Sequence, residues 1–157
     1  MACKLKLLIN VNTNCNKTKG SPNMTKQQLL ALWQGKSWDS SPAGIYFVSR
    51  RASKDLHFSF SGYSEKDVKS IPDSLMKRLA AEIAELDHKA LCLINENFPD
   101  EDIEGISLTD VMFDKSGCYD AFALGYYVGE SPAGELYLLV SFDEEFEANR
   151  EVICEAY

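Results

Sequence analysis

The chain has 157 residues, 45% of them apolar and 11% aromatic, with a formal charge of −8. That composition excludes disorder as the default and predicts a single domain over residues 1–157, long enough to bury roughly 70% of its extended surface without metal or disulfide staples. Residues 1–78 carry 13 Lys and Arg against 5 Asp and Glu, a net of +8, whereas residues 79–157 carry 3 against 19, a net of −16; such a split bears on partners and encounter rates, not on fold.

Leu7, Leu8 and Ile9 give way at once to Asn10, Asn12 and Asn14, too short an apolar run for a signal-peptide core. No window approaches the ~18 apolar residues of a membrane-spanning helix, so a cytoplasmic protein without a membrane role is expected. Cys3, Cys15, Cys92, Cys118 and Cys154 are odd in number and irregularly spaced, with no Cys-x-x-Cys pair. They read as reduced thiols, and no metal or cofactor is expected.

Alternation of Leu5, Leu7, Ile9 and Val11 predicts a first strand over residues 4–11, followed by a loop to Asn23. A short helix should start at Thr25, because Thr25 and Gln28 form a capping box and Met24 and Leu29 occupy the two positions of a hydrophobic staple. Gly35 should end it, with Leu29, Leu30 and Trp33 buried and residues 38–44 a loop. A hairpin follows, with Ile45–Arg50 and Leu56–Phe60 joined by residues 51–55. Leu56, Phe58 and Phe60 share its core face, which turns His57 the other way with Ser59 and Ser61.

A long helix runs from about Pro72 to about Asn97, its stripe of Leu75, Leu79, Ile83, Leu86, Ala90, Leu93 and Ile94 stepping by three and four. At 100° per residue His88 falls on its outer side and Cys92 well off the stripe. Asp110–Asp114 reads as a short strand. Residues 120–128 and 135–142 read as a second hairpin around Gly-Glu-Ser-Pro-Ala-Gly, with Phe122, Leu124, Tyr126 and Val128 facing Leu136, Leu138, Val140 and Phe142. Burial of those faces requires paired residue numbers to sum to an even number, for example Tyr126 opposite Leu136 or Leu138. Residues 152–157 could add a last strand. The expected fold is α+β: an antiparallel sheet of two hairpins plus an N-terminal strand, packed on one long helix, with one short extra helix.

Few constellations carry chemistry. Asp100, Glu101, Asp102, Ile103, Glu104 and Gly105 start like a calcium loop, but Val111 stands where the bidentate glutamate belongs. Asp143, Glu144, Glu145 and Glu147 share one wet environment, which does not separate two carboxyl pKa values for acid–base work. A nucleophilic scheme would need His57 with a carboxylate or Cys118, the basis of an alternative reading as a small hydrolase. Lysines on the loops of the first half suggest nucleic acid, yet a net of −8 opposes direct binding.

The stretch Leu124-Gly-Tyr-Tyr-Val-Gly-Glu-Ser-Pro-Ala-Gly-Glu-Leu-Tyr137, with Phe142-Asp-Glu-Glu-Phe146 and the closing Glu155-Ala-Tyr157, resembles the tails of small bacterial proteins of uncharacterised-domain families. Some of these are similar to immunity proteins of contact-dependent or polymorphic toxin systems. The resemblance covers about a quarter of the chain and implies a cytosolic protein whose ligand is another protein. With the acidic half, it leads to the expectation of a non-enzymatic domain that neutralises a basic toxin or nuclease. Asp100, Glu101, Asp102, Glu104, Asp143, Glu144, Glu145 and Glu147 would be its partner-binding groups. A DNA-mimic inhibitor from a phage or mobile element would use the same surface logic, and the oligomeric state stays open.

Overall fold

The computed structural model describes residues 24–101, 103 and 105–157. The strand expected over residues 4–11 and the carboxylates of Asp102 and Glu104 lie outside them. The chain begins with helix α1 (Lys26–Trp33), capped as its sequence predicts: the Thr25 hydroxyl accepts from the Gln28 N–H, and the Gln28 side chain accepts from the Thr25 N–H at 2.8 Å. Met24 and Leu29 are both buried, as a staple requires. Gln34, in the left-handed conformation with φ of 50°, caps the C-terminus. Gly35 follows because a Cβ there would lie 2.7 Å from the Phe47 ring and 2.8 Å from Leu30.

The next residues depart from expectation. Lys36–Ser41 is strand β1, not loop. It is an exposed, polar edge strand whose pairing with β2 (Gly44–Arg51) is interrupted by a bulge between Lys36 and Asp39, so no apolar alternation marks it. Strand β3 (Lys54–Ser61) joins β2 through only two residues, Ala52 and Ser53, with φ of 50° and 66°. The predicted five-residue loop is therefore a tight turn with both central residues left-handed, built without glycine.

Helices α2 (Glu65–Val68) and α3 (Asp73–Asn97) then carry the chain back across the sheet. This crossover lets β4 (Asp110–Asp114) pair parallel to β3. Strand β5 (Phe122–Ser131), β6 (Gly134–Phe142) and β7 (Ile153–Ala156) follow as an antiparallel meander. The seven strands form one sheet in chain order, antiparallel except at β3–β4. Through the buried part of the β5–β6 hairpin the register sums are even, with Tyr126 opposite Leu138. A bulge at Val128 then shifts the pairing to Gly129 opposite Leu136.

One sheet face carries the core. Met76, Leu79, Leu86, Ala90 and Ile94 of α3 and Leu29 and Trp33 of α1 pack over Phe47, Phe58, Phe60, Phe113, Phe122 and Phe142. Rings of neighbouring strands stack in pairs, with centroids 4.6 Å apart for Phe47–Phe58 and 4.9 Å for Phe60–Phe113. The helix is tied to the sheet through Asp87, which accepts from the Tyr126 hydroxyl at 2.8 Å and pairs with Arg51 at 2.9 Å. His88 and Cys92 are exposed on its outer side, as the periodicity predicts. Among the described residues, no helix is long and apolar enough to cross a membrane.

Candidate functional site

Among the described residues no helix packs over the opposite sheet face, and its side chains follow from the two-residue alternation of each strand. Register puts Asp39 beside Tyr46 on β1 and β2, and Val48, His57, Asp110, Gly125, Leu139 and Ile153 in one row across the remaining strands. Tyr127 pairs with Tyr137, and Tyr137 with Glu155. A small apolar patch of Tyr119, Ala123 and Leu139, with Met112, Tyr137 and Ile153 against it, supports the middle of the face.

Among the described residues, the exposed large aromatic side chains are Tyr46, Tyr127 and Tyr157, at 37%, 37% and 56% exposure. All three belong to this face. The rings of Tyr127, Tyr137 and Tyr157 form a ladder, with successive centroids 5.5 and 5.6 Å apart. The hydroxyls of Tyr119 and Tyr157 lie 3.2 Å apart, and the Tyr157 hydroxyl donates to Glu155. Burial first, then the neighbouring carboxylates, raises these phenols, Tyr137 to about 12. They are neutral donors at physiological pH, and the charge of the face is that of its carboxylates.

Two hollows are sunk into the face and meet at Met112. The larger, about 420 Å³, lies between Tyr46 and Tyr119 and takes in Asp39, Asp114 and Glu155. The smaller, about 160 Å³, is lined by Asp110, Met112, Glu135, Tyr137 and Tyr157. Among the described residues, no Lys or Arg lines either. Asp114 is lowered by hydrogen bonds from Ser116 and stays ionised. Asp110 is raised, because burial outweighs a hydrogen bond from Thr109 and the nearby His57.

The described carboxylates expected to bind a partner lie elsewhere and fall into two groups. Asp143, Glu144, Glu145 and Glu147 form a compact turn after β6, where the Asp143 carboxylate accepts from the N–H groups of Glu145 and Glu147 at 3.0 and 2.9 Å. This turn packs on the start of α3: Arg78 donates to the Glu145 carbonyl at 3.2 Å and covers the Phe146 ring. Asp100 and Glu101 are exposed just beyond Asn97, at the other end of that helix. Positions 78 and 97 are about 28 Å apart at 1.5 Å per residue, so the helix holds the two groups apart. Among the described residues, none of these carboxylates pairs with a Lys or Arg.

Of the alternative scheme, His57 and Cys118 are separated, whereas a carboxylate, Asp110, stands beside His57. His57 shares a hydrogen bond with the Tyr46 hydroxyl through Nδ1 and stands level with Asp110. Cys118 belongs with Asp114, which is level with Ser61, four residues and about 13 Å further along the strand. Burial and then Asp114 raise the Cys118 thiol, away from the thiolate a nucleophile needs. Among the described residues, no three His, Cys, Asp or Glu side chains converge as a metal site would require.

The sequence reading missed the tyrosine face, although one signal was present. Placing Leu136, Leu138 and Val140 inward turns Tyr137 outward, and the even register sets it against Tyr127. Asp110 beside His57 had no such signal, because it depends on the parallel β3–β4 pairing. Comparison of the chain with protein-family models, with curated proteins and with solved structures finds no match in any of the three.

Proposed function

We propose that the chain is a non-enzymatic protein-binding domain that seats a basic protein partner on the sheet face opposite its helices. Its biological role would be that of a bacterial cytoplasmic immunity or inhibitor protein directed at a basic toxin or nuclease. The observation that carries this is the composition of the face: exposed tyrosines interleaved with carboxylates, around hollows that no Lys or Arg lines among the described residues. Tyrosine supplies rigid contact area with a polar tip and is enriched where binding energy concentrates, while unpaired carboxylates attract and orient a cationic surface. The exposed acids at 100–101 and 143–147 then contribute to long-range steering, without forming the contact patch themselves. A hydrolase has less support: Asp110 stands beside His57, but the imidazole Nδ1 is engaged by Tyr46, and the Cys118 thiol is raised.

The test uses the full chain as bait for proteins of a bacterial lysate at low and high salt, beside baits carrying Tyr127→Ala or Glu155→Lys. The expected result is a basic prey retained at low salt and released as salt screens it, with affinity for the purified prey reduced about tenfold or more in each variant. Retention of no basic prey, or of one indifferent to both substitutions, would overturn the reading.

A further inference from the structure

We propose that the smaller hollow is a socket for one arginine side chain of the basic partner. This rests on the partner-binding reading and specifies its chemistry. The hollow, about 160 Å³, is bounded by two carboxylates, Asp110 and Glu135, and by the rings of Tyr137 and Tyr157, which meet edge to face at 75°. Met112 completes its lining. Gly125 pairs with Asp110 on the neighbouring strand and packs closely there, since a Cβ would stand 3.0 Å from the Asp110 Cβ and 3.2 Å from Leu139.

Hydrogen bonds reach both carboxylates, Asp110 from Thr109 and Glu135 from Tyr137, and His57 stands near Asp110. The Tyr137 hydroxyl donates to Glu135 Oε2 at 3.1 Å and fixes that group at the rim. Among the described residues, neither Asp110 nor Glu135 has a Lys or Arg partner, and the Glu135 charge disfavours ionisation of Asp110. A single cation placed between them relieves that repulsion and compensates the desolvation of Asp110. Two carboxylates are too few oxygen ligands for a calcium ion. A guanidinium suits the site better than an ammonium: it can donate to both carboxylates at once, lies flat on a tyrosine ring, and loses less hydration on entry.

The probes are two blocked tripeptides, acetyl-Gly-Arg-Gly-amide and its lysine counterpart, titrated into the isotope-labelled full chain and followed by NMR. The arginine peptide should produce saturable shifts at the Met112 methyl, Asp110 and Tyr137 and lower the Asp110 titration midpoint. The lysine peptide should bind about fivefold more weakly, the difference a planar stacked cation makes. Asp110→Asn and Glu135→Gln should each abolish the saturable response while keeping the native spectrum elsewhere. Equal responses to the two peptides, shifts that bypass Met112, or full binding by both variants would overturn the socket. If the arginine probe fails while wild-type bait still holds a basic prey that Tyr127→Ala and Glu155→Lys lose, the socket alone is wrong. If no such prey is held either, the partner reading falls with it.

Discussion

Burial raises the Asp110 carboxyl above its ordinary value of 3.8, so its ionisation opposes folding. Between 3.8 and the raised value the folded chain holds more protons than the unfolded one, and stability falls as pH rises through that window. Asp110→Asn should therefore be more stable than wild type in urea unfolding at pH 7, with the gain disappearing below pH 3.8. A group that costs stability while facing a hollow is better explained by binding than by packing. Asp67 behaves in the opposite sense. The N–H and hydroxyl of Ser64 and the Lys115 ammonium hold its carboxyl down to about 2, so its contribution is present above 3.8 and is lost as pH falls through about 2. Asp67→Asn should accordingly lower stability at pH 7 and match wild type in acid melts only below pH 2.

At the scale of elements, local chemistry explains where the sequence was readable. Helix α1 begins at a complete capping box and staple, interactions confined to Met24–Leu29, and α3 shows its stripe over 25 residues. Thr25→Ala should cost about 1 kcal/mol in chemical denaturation, the usual loss of an N-cap. Strand β1 was not readable, because an exposed edge strand is held by pairing with β2 and buries almost none of its side chains. The β2–β3 turn was misread as longer for a related reason: Ala52 and Ser53 lack the residue types that favour positive φ. The replacement of Ala52 and Ser53 by Asn and Gly should stabilise the fold by about 1 kcal/mol or more in thermal or urea unfolding. Gly35→Ala should do the reverse by about 1–3 kcal/mol, since its methyl group would overlap Phe47 and Leu30.

At the scale of the molecule, the charge of the second half is distributed over the ends of α3 and the tyrosine face, with the two acidic groups at 100–101 and 143–147 held apart. Association with a basic partner should thus slow steeply with ionic strength while the dissociation rate changes little, a pattern stopped-flow mixing across a salt series would reveal. The sequence by itself determined the α+β class, the helix-covered core face, the even register of the buried β5–β6 hairpin and the outward placement of His57, His88 and Cys92. These depend on periodicity and on neighbours a few residues away, which a single strand or helix already contains. Only the tertiary structure decided that β3 and β4 run parallel, that Asp110 stands beside His57, and that Tyr46, Tyr137 and Tyr157 share one face with carboxylates that no described Lys or Arg pairs. Those juxtapositions join residues up to about 110 positions apart, and they are fixed by strand order and by the α2–α3 crossover, which leave no periodic trace in the chain.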